Sequence, residues 1–446
     1  MSFLSPEQSS SPRATSPNPR SPRSPGRSPA PSPRLGPPPK KDFSFLLRPE
    51  IYHTLSPTTI PQPFRDSPHQ PDPEAPIADL VARGHYRAAA VAAVQQLTGT
   101  AGHTPPSPED HVRIFSLLHT RLACLTLIEA TNIAAQEVKA LEDVQSPFYL
   151  ANTVPTTAPS IIASPTTSIG LGIDAIAAGP PPHSPSPSFL AAQQQDPPDH
   201  LVPWELRVLA VRLQSLGFGD PRRSVMSYYE LAREARARLA RATANHDNSA
   251  RELWRGRLAE LGLRVAGALV EMDDLSGAAA HLASLPVVQN GTSRLATARA
   301  LLWLHLGDVD AARACVNAGR EGGPSFAPDS SRDKVISALC DMADGDYESA
   351  LATWTDLREE LPRDEMVGVN TAVCLLYVGR MEQGRAILEE MVDSGHSSHT
   401  LLFNLTTMYE LCTERAKDEK QRLAERVAAL EPSLKGWEKT NADFKL

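Results

Sequence analysis

Few side chains in this chain are spaced for chemistry. His396 and His399 bracket two serines, a spacing that could set two imidazoles on one side of a turn as metal ligands. No third ligand stands nearby, however, and a helix-capping turn accounts for the same four residues. His111 and His119 read as solvent-edge residues of one helix. Asn370 and Asn404 occupy equivalent places 34 residues apart, as two amides would that reach a peptide backbone from a groove. The lysines that complete such a clamp on a C-terminal carboxylate are missing, and Thr371, Cys374, Leu402 and Thr406 stand on the matching helices instead. A structural role between hairpins fits the two asparagines better.

The chain has no glycine-rich phosphate loop before a helix, no HExxH, no CxxC and no Gly-x-Ser-x-Gly elbow. The sequence therefore predicts no enzyme, no cofactor and no metal. The five cysteines, Cys124, Cys315, Cys340, Cys374 and Cys412, are far apart and odd in number, each in an apolar helical setting. They read as small buried hydrophobes in a reducing compartment. The net charge is −8, with signs mixed along the helices as in Arg233, Glu234, Arg236 and Arg238; that argues against a nucleic-acid partner, which needs basic side chains clustered on one face. No run of about 18 apolar residues is present to cross a bilayer, and the N-terminus lacks a signal-peptide pattern. Direct membrane insertion is not expected.

The elements that must hold any partner come from a repeated beat. Asp273, Gly307, Gly345 and Gly379 recur at intervals of 34, 38 and 34 residues, the longer interval carrying a Gly/Pro-rich insert. Each turn residue is followed two positions on by Leu275, Val309, Tyr347 or Met381, and five positions on by Ala278, Ala312, Ala350 or Gly384. This is the tetratricopeptide period. A small residue lets two antiparallel helices approach closely, and one hairpin cannot bury its apolar stripe alone, so successive hairpins stack. The expected fold is all-α: an α-solenoid of tetratricopeptide-repeat hairpins with a long concave face, a disordered N-terminal tail and a disordered internal loop.

Composition sets the boundaries. Residues 1–74 read as a disordered Ser/Pro-rich tail with a short apolar motif near 42–55, either a docking element for the solenoid or a partner, or a sticky linker. Within the tail, the Ser-Pro pairs at Ser21, Ser24, Ser28 and Ser32 are candidate phosphosites. Residues 75–145 read as N-terminal hairpins, opened by a Gly84, Tyr86, Ala89 trio in the repeat phase. Residues 146–200 form a Pro/Ser-rich loop, 201–432 the solenoid, and 433–446 a loosely held C-terminal tail. Tyr377, Phe403, Asn404, Met408 and Tyr409 of the last two hairpins are the candidate partner-binding residues, although core positions suit most of them.

The strings NTAVCLLYVGRMEQGRAILEEM from Asn370 and LLFNLTTMYEL from Leu401 closely resemble the C-terminal repeats of the subunit 12 family of the TRAPP (transport protein particle) tethering complex. RLACLTLIEATNIAAQEVKALEDV from Arg121 and VPWELRVLAV from Val202 resemble earlier helices of that family, in the same order, with a loop between. The resemblance covers roughly 75–430 and leaves the Ser-Pro tail without a counterpart. It implies a cytoplasmic, non-catalytic subunit of the TRAPP III assembly, peripheral at ER–Golgi and Golgi membranes through the complex. It implies a function in vesicle tethering, ER-to-Golgi transport and autophagy. The partners it implies resemble subunits 8, 11 and 13, with a Rab-family GTPase reached indirectly through the exchange site of the small core subunits. A free cytosolic adaptor or co-chaperone that binds short peptides is the alternative.

Overall fold

The structure, a computed structural model, describes residues 41–151, 199–285, 293–317 and 330–446. The four candidate phosphosites and nearly all of the Pro/Ser-rich loop lie outside them. The described residues are helical apart from connecting segments, short 3₁₀ turns and one isolated antiparallel bridge between Leu150 and His200. That bridge, extended by Ala151 N–H to Asp199 O at 2.7 Å and Leu201 N–H to Tyr149 O at 2.8 Å, ties together the two ends of the loop.

Each regular hairpin is written in its turn. Helices α8 (Asn248–Glu271) and α9 (Leu275–Ser284) join at Asp273, α10 (Ser293–His305) and α11 (Val309–Asn317) at Gly307, α12 (Ser330–Ala343) and α13 (Tyr347–Glu360) at Gly345, and α14 (Glu365–Tyr377) and α15 (Met381–Asp393) at Gly379. All four turn residues have φ between 61° and 82°, the left-handed conformation that ends a helix and that glycine adopts without penalty. Asp274, Asp308 and Asp346 then cap the second helices, accepting from the backbone N–H of Gly277, Ala311 and Ser349 at 2.8, 2.9 and 3.1 Å. The small residue five on is buried in every unit: Ala278, Ala312 and Ala350 are fully covered. At Gly384 a side-chain β-carbon would stand 2.9 Å from Ala372 O. The last hairpin pairs α16 (His399–Cys412) with α17 (Ala416–Ala428).

Upstream, α1 (Gln62–Arg65) is a single turn, and α2 (Ile77–Ala82) and α3 (Tyr86–Thr98) form the first hairpin around Gly84. Then come α4 (His111–Leu127), α5 (Thr131–Glu137), α6 (Trp204–Phe218) and the long α7 (Pro221–Ala244), which packs along α8. The core runs as successive clusters, each shared between neighbouring hairpins, as stacking requires.

Two segments that composition assigns to the tails are packed. In the apolar motif near 42–55, Phe43 and Leu46 are fully buried and Tyr52 nearly so. Phe43 meets Phe115 edge-on at 5.1 Å, and Tyr52 Oη donates to Leu46 O at 2.7 Å. This segment packs against α4 and its neighbours. It is clamped by the buried Arg121, whose guanidinium donates to both oxygens of Glu137 at 2.6 and 2.9 Å, to His53 O at 2.8 Å and to Ala90 O at 3.2 Å. Glu137 in turn accepts the His53 N–H.

The second surprise is the C-terminal tail, which returns to the first hairpin. Trp437 and Phe444 are buried beside Phe64 of α1, in one core with the last hairpin. Trp437 N–H donates to Gly84 O at 3.2 Å, Tyr86 Oη to Leu434 O, Arg87 pairs with Glu438, and Ser67 Oγ donates to Ala428 O at 2.7 Å. The hairpin stack is as the repeats require, but its first and last members are joined at a seam.

Candidate functional site

The five candidate partner residues fall in different environments. Tyr377 projects from the end of α14, 62 % exposed, and stacks face to face on Tyr347 of the preceding hairpin at 4.1 Å and 3°. Phe403 is exposed on α16 beneath the Lys445 ammonium, 4.3 Å from the ring centre. Met408 and Tyr409 are instead core side chains, each 2 % exposed. They lie three and four positions after Leu405 on the buried stripe of α16, which faces α17 and α15. Burial, with the Glu389 carboxylate beside it, pushes the Tyr409 phenol well above its usual value.

Asn370 and Asn404 do share an environment, but it is local. Each side-chain amide donates to the carbonyl four residues back, Met366 O and Thr400 O, both at 2.9 Å. One of the two amide hydrogens of each is thus engaged by its own helix. Between the α14–α15 turn and the end of α16, a shallow groove of about 360 Å³ is lined by Gly379, Arg380, Met381, Glu382, Gln383, Leu411 and Cys412. Burial raises the Cys412 thiol pKa, followed in effect by Glu382, so the thiol is not activated as a nucleophile. Cys124 and Cys374 are held higher still, at about 11, by burial.

The two histidines that bracket the serines belong to the seam and do not converge. Ser398 caps α16, accepting from Leu401 N–H at 3.2 Å. His396 Nδ1 faces Glu365 Oε2 at 3.2 Å and receives the Lys435 ammonium at 2.7 Å, while Glu365 also accepts Ser398 N–H and Lys435. Burial acts to raise the Glu365 carboxyl, but hydrogen bonds from Ser398 and Lys435 and the Lys435 charge outweigh it and hold the pKa below 4.5.

His399 Nδ1 meets Asp443 Oδ1 at 2.7 Å, and Glu129, from the far end of the sequence, brings a ligand-type oxygen within 4.8 Å of both. Asp443 Oδ2 is already engaged by the N–H and hydroxyl of Thr440. The nearby Lys439 feels Asp443, Glu365 and Glu129 as favourable charges, although burial dominates and lowers its pKa. Its ammonium donates to Gly436 O at 3.0 Å. No local signal in the sequence could have placed Glu129 here, because its neighbourhood is created by the closure of the chain ends. What the assembled site offers is a seam and exposed helix faces, which suit protein contact.

The geometry defines a helical-repeat protein of tetratricopeptide type. Within that class, the chain is similar to trafficking protein particle complex subunit 12. It is 27 % identical to the human protein over 252 residues, which span 52 % of this chain and 34 % of the human one. With the mouse protein the identity is also 27 % over 252 residues, covering 52 % of this chain and 31 % of the mouse one. The matched region spans about a third of the length of these relatives. No protein-family model matches the chain. Among solved structures, a tetratricopeptide repeat protein from Parabacteroides merdae aligns over 70 % of this chain and 90 % of its own, with 13 % identity and a TM-score of 0.34. The TPR domain of P58(IPK) aligns over 79 % and 90 %, with 10 % identity and a TM-score of 0.20. Neither superposition adds to the repeat assignment, which rests on the turns and packing above. Among the described residues no helix is long and apolar enough to cross a membrane.

Proposed function

We propose that the chain is a non-catalytic scaffold subunit of a TRAPP III-type vesicle-tethering assembly. In this reading it works in ER-to-Golgi transport and autophagy by holding subunits that resemble 8, 11 and 13. Its effect on a Rab-family GTPase is exerted through the assembly, which also brings it from the cytoplasm to Golgi and ER–Golgi membranes. The observation that carries the reading is the similarity to subunit 12, supported by a stacked-hairpin architecture of the kind that presents extended faces to protein partners.

Size-exclusion of native extract, followed by affinity purification of the chain and identification of what accompanies it, tests the proposal. Elution in a particle several times the 48.2 kDa chain mass, together with TRAPP subunits, is expected. Elution near the chain's own mass without them contradicts it. Truncation after Asp393 removes the last hairpin and the seam, and should abolish incorporation; a truncated chain that still joins the particle places docking elsewhere.

A further inference from the structure

In the sequence, α7 carries six arginines and two glutamates, Glu230 and Glu234, set among them. Folding separates them. Glu234 turns inward, accepting from the buried Arg207 at 2.6 Å and from Arg238 at 3.3 Å, and Arg238 also reaches Asp199 at 3.1 Å. Burial would raise the Glu234 pKa, but Arg207 and Arg238 together hold it below its usual value, so this carboxylate is consumed by the interior. Arg222, Met226, Tyr229, Arg233 and Arg236 are left on a separate, outer face. Their spacing of 4, 3, 4 and 3 keeps them within about 80° of the helix circumference, over about 21 Å of length. All five are exposed, Met226 by 64 % and Tyr229 by 39 %. Among the described residues, no carboxylate pairs with Arg222, Arg233 or Arg236.

We infer that this ridge is a docking surface for an acidic amphipathic helix of a protein partner. Charge complementarity selects the sign: three unpaired guanidiniums, each a forked donor matched to carboxylates, stand on a chain whose overall charge is −8. Of the two acidic residues between them, Glu234 is taken by Arg207 and Arg238, and Glu230 lies at the ridge margin. The accompanying side chains select protein over other polyanions. Met, Tyr and Arg are the residues enriched at protein interfaces, where Lys is depleted, and no lysine occurs between residues 199 and 285. The stripe is one side chain wide, which suits a helix laid alongside it. An anionic bilayer instead rewards a broad apolar face flanked by basic residues. The assignment goes beyond scaffold membership and does not depend on which complex the chain joins.

The test uses the full chain and a synthetic peptide with glutamates along one face and leucines at helical spacing along the other. Binding is followed by fluorescence anisotropy at about 0.15 M salt, where long-range attraction is screened. The peptide should bind, and Arg233→Glu with Arg236→Glu should weaken it at least about tenfold, a change of roughly 1.4 kcal/mol. Met226→Ala should weaken it about threefold or more, as loss of an apolar anchor. Reversal at Lys417 and Arg422 of α17, distant in the stack, should leave binding within about twofold, an error-sized change. Circular dichroism should be unchanged in every variant, since all the substituted side chains are exposed. The inference is overturned if the peptide does not bind, if the ridge reversal has no more effect than the α17 reversal, or if phosphatidylserine vesicles or a single-stranded oligonucleotide compete at equal affinity through the same arginines.

Discussion

Trp437→Ala isolates the seam. Trp437 is 5 % exposed and meets Phe64 edge-on at 5.6 Å and His85 at 5.3 Å, while its backbone N–H is held by Gly84 O. Removing a buried indole costs about 3–5 kcal/mol, and each lost aromatic pair adds about 0.5–1.5 kcal/mol. The segment keeps Phe444 and the Arg87–Glu438 pair, so the lower end, about 3 kcal/mol, is the appropriate expectation for local opening. At about 1.4 kcal/mol per decade, the opening constant should rise roughly a hundredfold. Hydrogen exchange followed by mass spectrometry reads this directly. The amides of Gly436, Asp443 and Leu446, bonded to Ser433, Thr440 and Asn441, should exchange about a hundredfold faster, while those of α12–α15 remain protected, because coupling in a repeat stack runs between nearest neighbours. Exchange at the seam unchanged within a few-fold would refute the closure, and equal acceleration in α12–α15 would refute its local character.

Other perturbations probe separate parts of the argument. Gly84→Ala should also open the seam, because Gly84 has φ of +73° and a β-carbon there would lie 1.9 Å from Ser433 O; the readout is protease cleavage of residues 432–446, and a resistant variant would contradict it. Arg121→Ala strands the buried Glu137 carboxylate and should cost about 3–5 kcal/mol in denaturant unfolding, with residues 43–55 released; a loss below about 1 kcal/mol would mean that the clamp is not formed. Gly384→Val should cost about 1–3 kcal/mol through overpacking against Ala372 and Met408, checked by thermal unfolding. Because the folded Glu365 pKa lies below 4.5, its contribution is present above that pH and disappears as pH falls through the lower folded value. Glu365→Gln should therefore lessen the acid-dependent part of the stability loss below pH 4.5 in a pH series of unfolding curves, and an unchanged acid limb would remove that assignment.

What could be seen in the sequence was whatever a single hairpin decides for itself. Asp273, Gly307, Gly345 and Gly379 announce their turns because a left-handed residue and a small residue five on are local requirements, and both reappear in all four units, with an aspartate cap besides in the first three. Tyr377 and Met408 were harder to tell apart, since both sit on apolar-rich first helices; only the neighbouring hairpin decides that one stacks outside on Tyr347 and the other is enclosed. Glu234 and Arg233 are adjacent in sequence, yet a partner 27 residues away, Arg207, draws one inward and leaves the other facing out.

The seam was least visible, for the same reason carried further. A composition rule assigns the Pro-rich start and the short polar end to tails, because neither can bury enough apolar surface alone to offset its ordering entropy. Each segment nevertheless supplies what the other lacks: Ile60 and Phe64 from the start, and Trp437 and Phe444 from the end, complete one core over the last hairpin. Joining the ends covers the exposed flank of the terminal hairpin, the part played in an open stack by a polar capping repeat. It also leaves α16 less available as a docking face than its place at the end of the chain suggests. The outer ridge of α7, exposed along its length apart from the edge-on contact of Tyr229 with His281 at 6.3 Å, is among the described residues the more accessible surface for a partner.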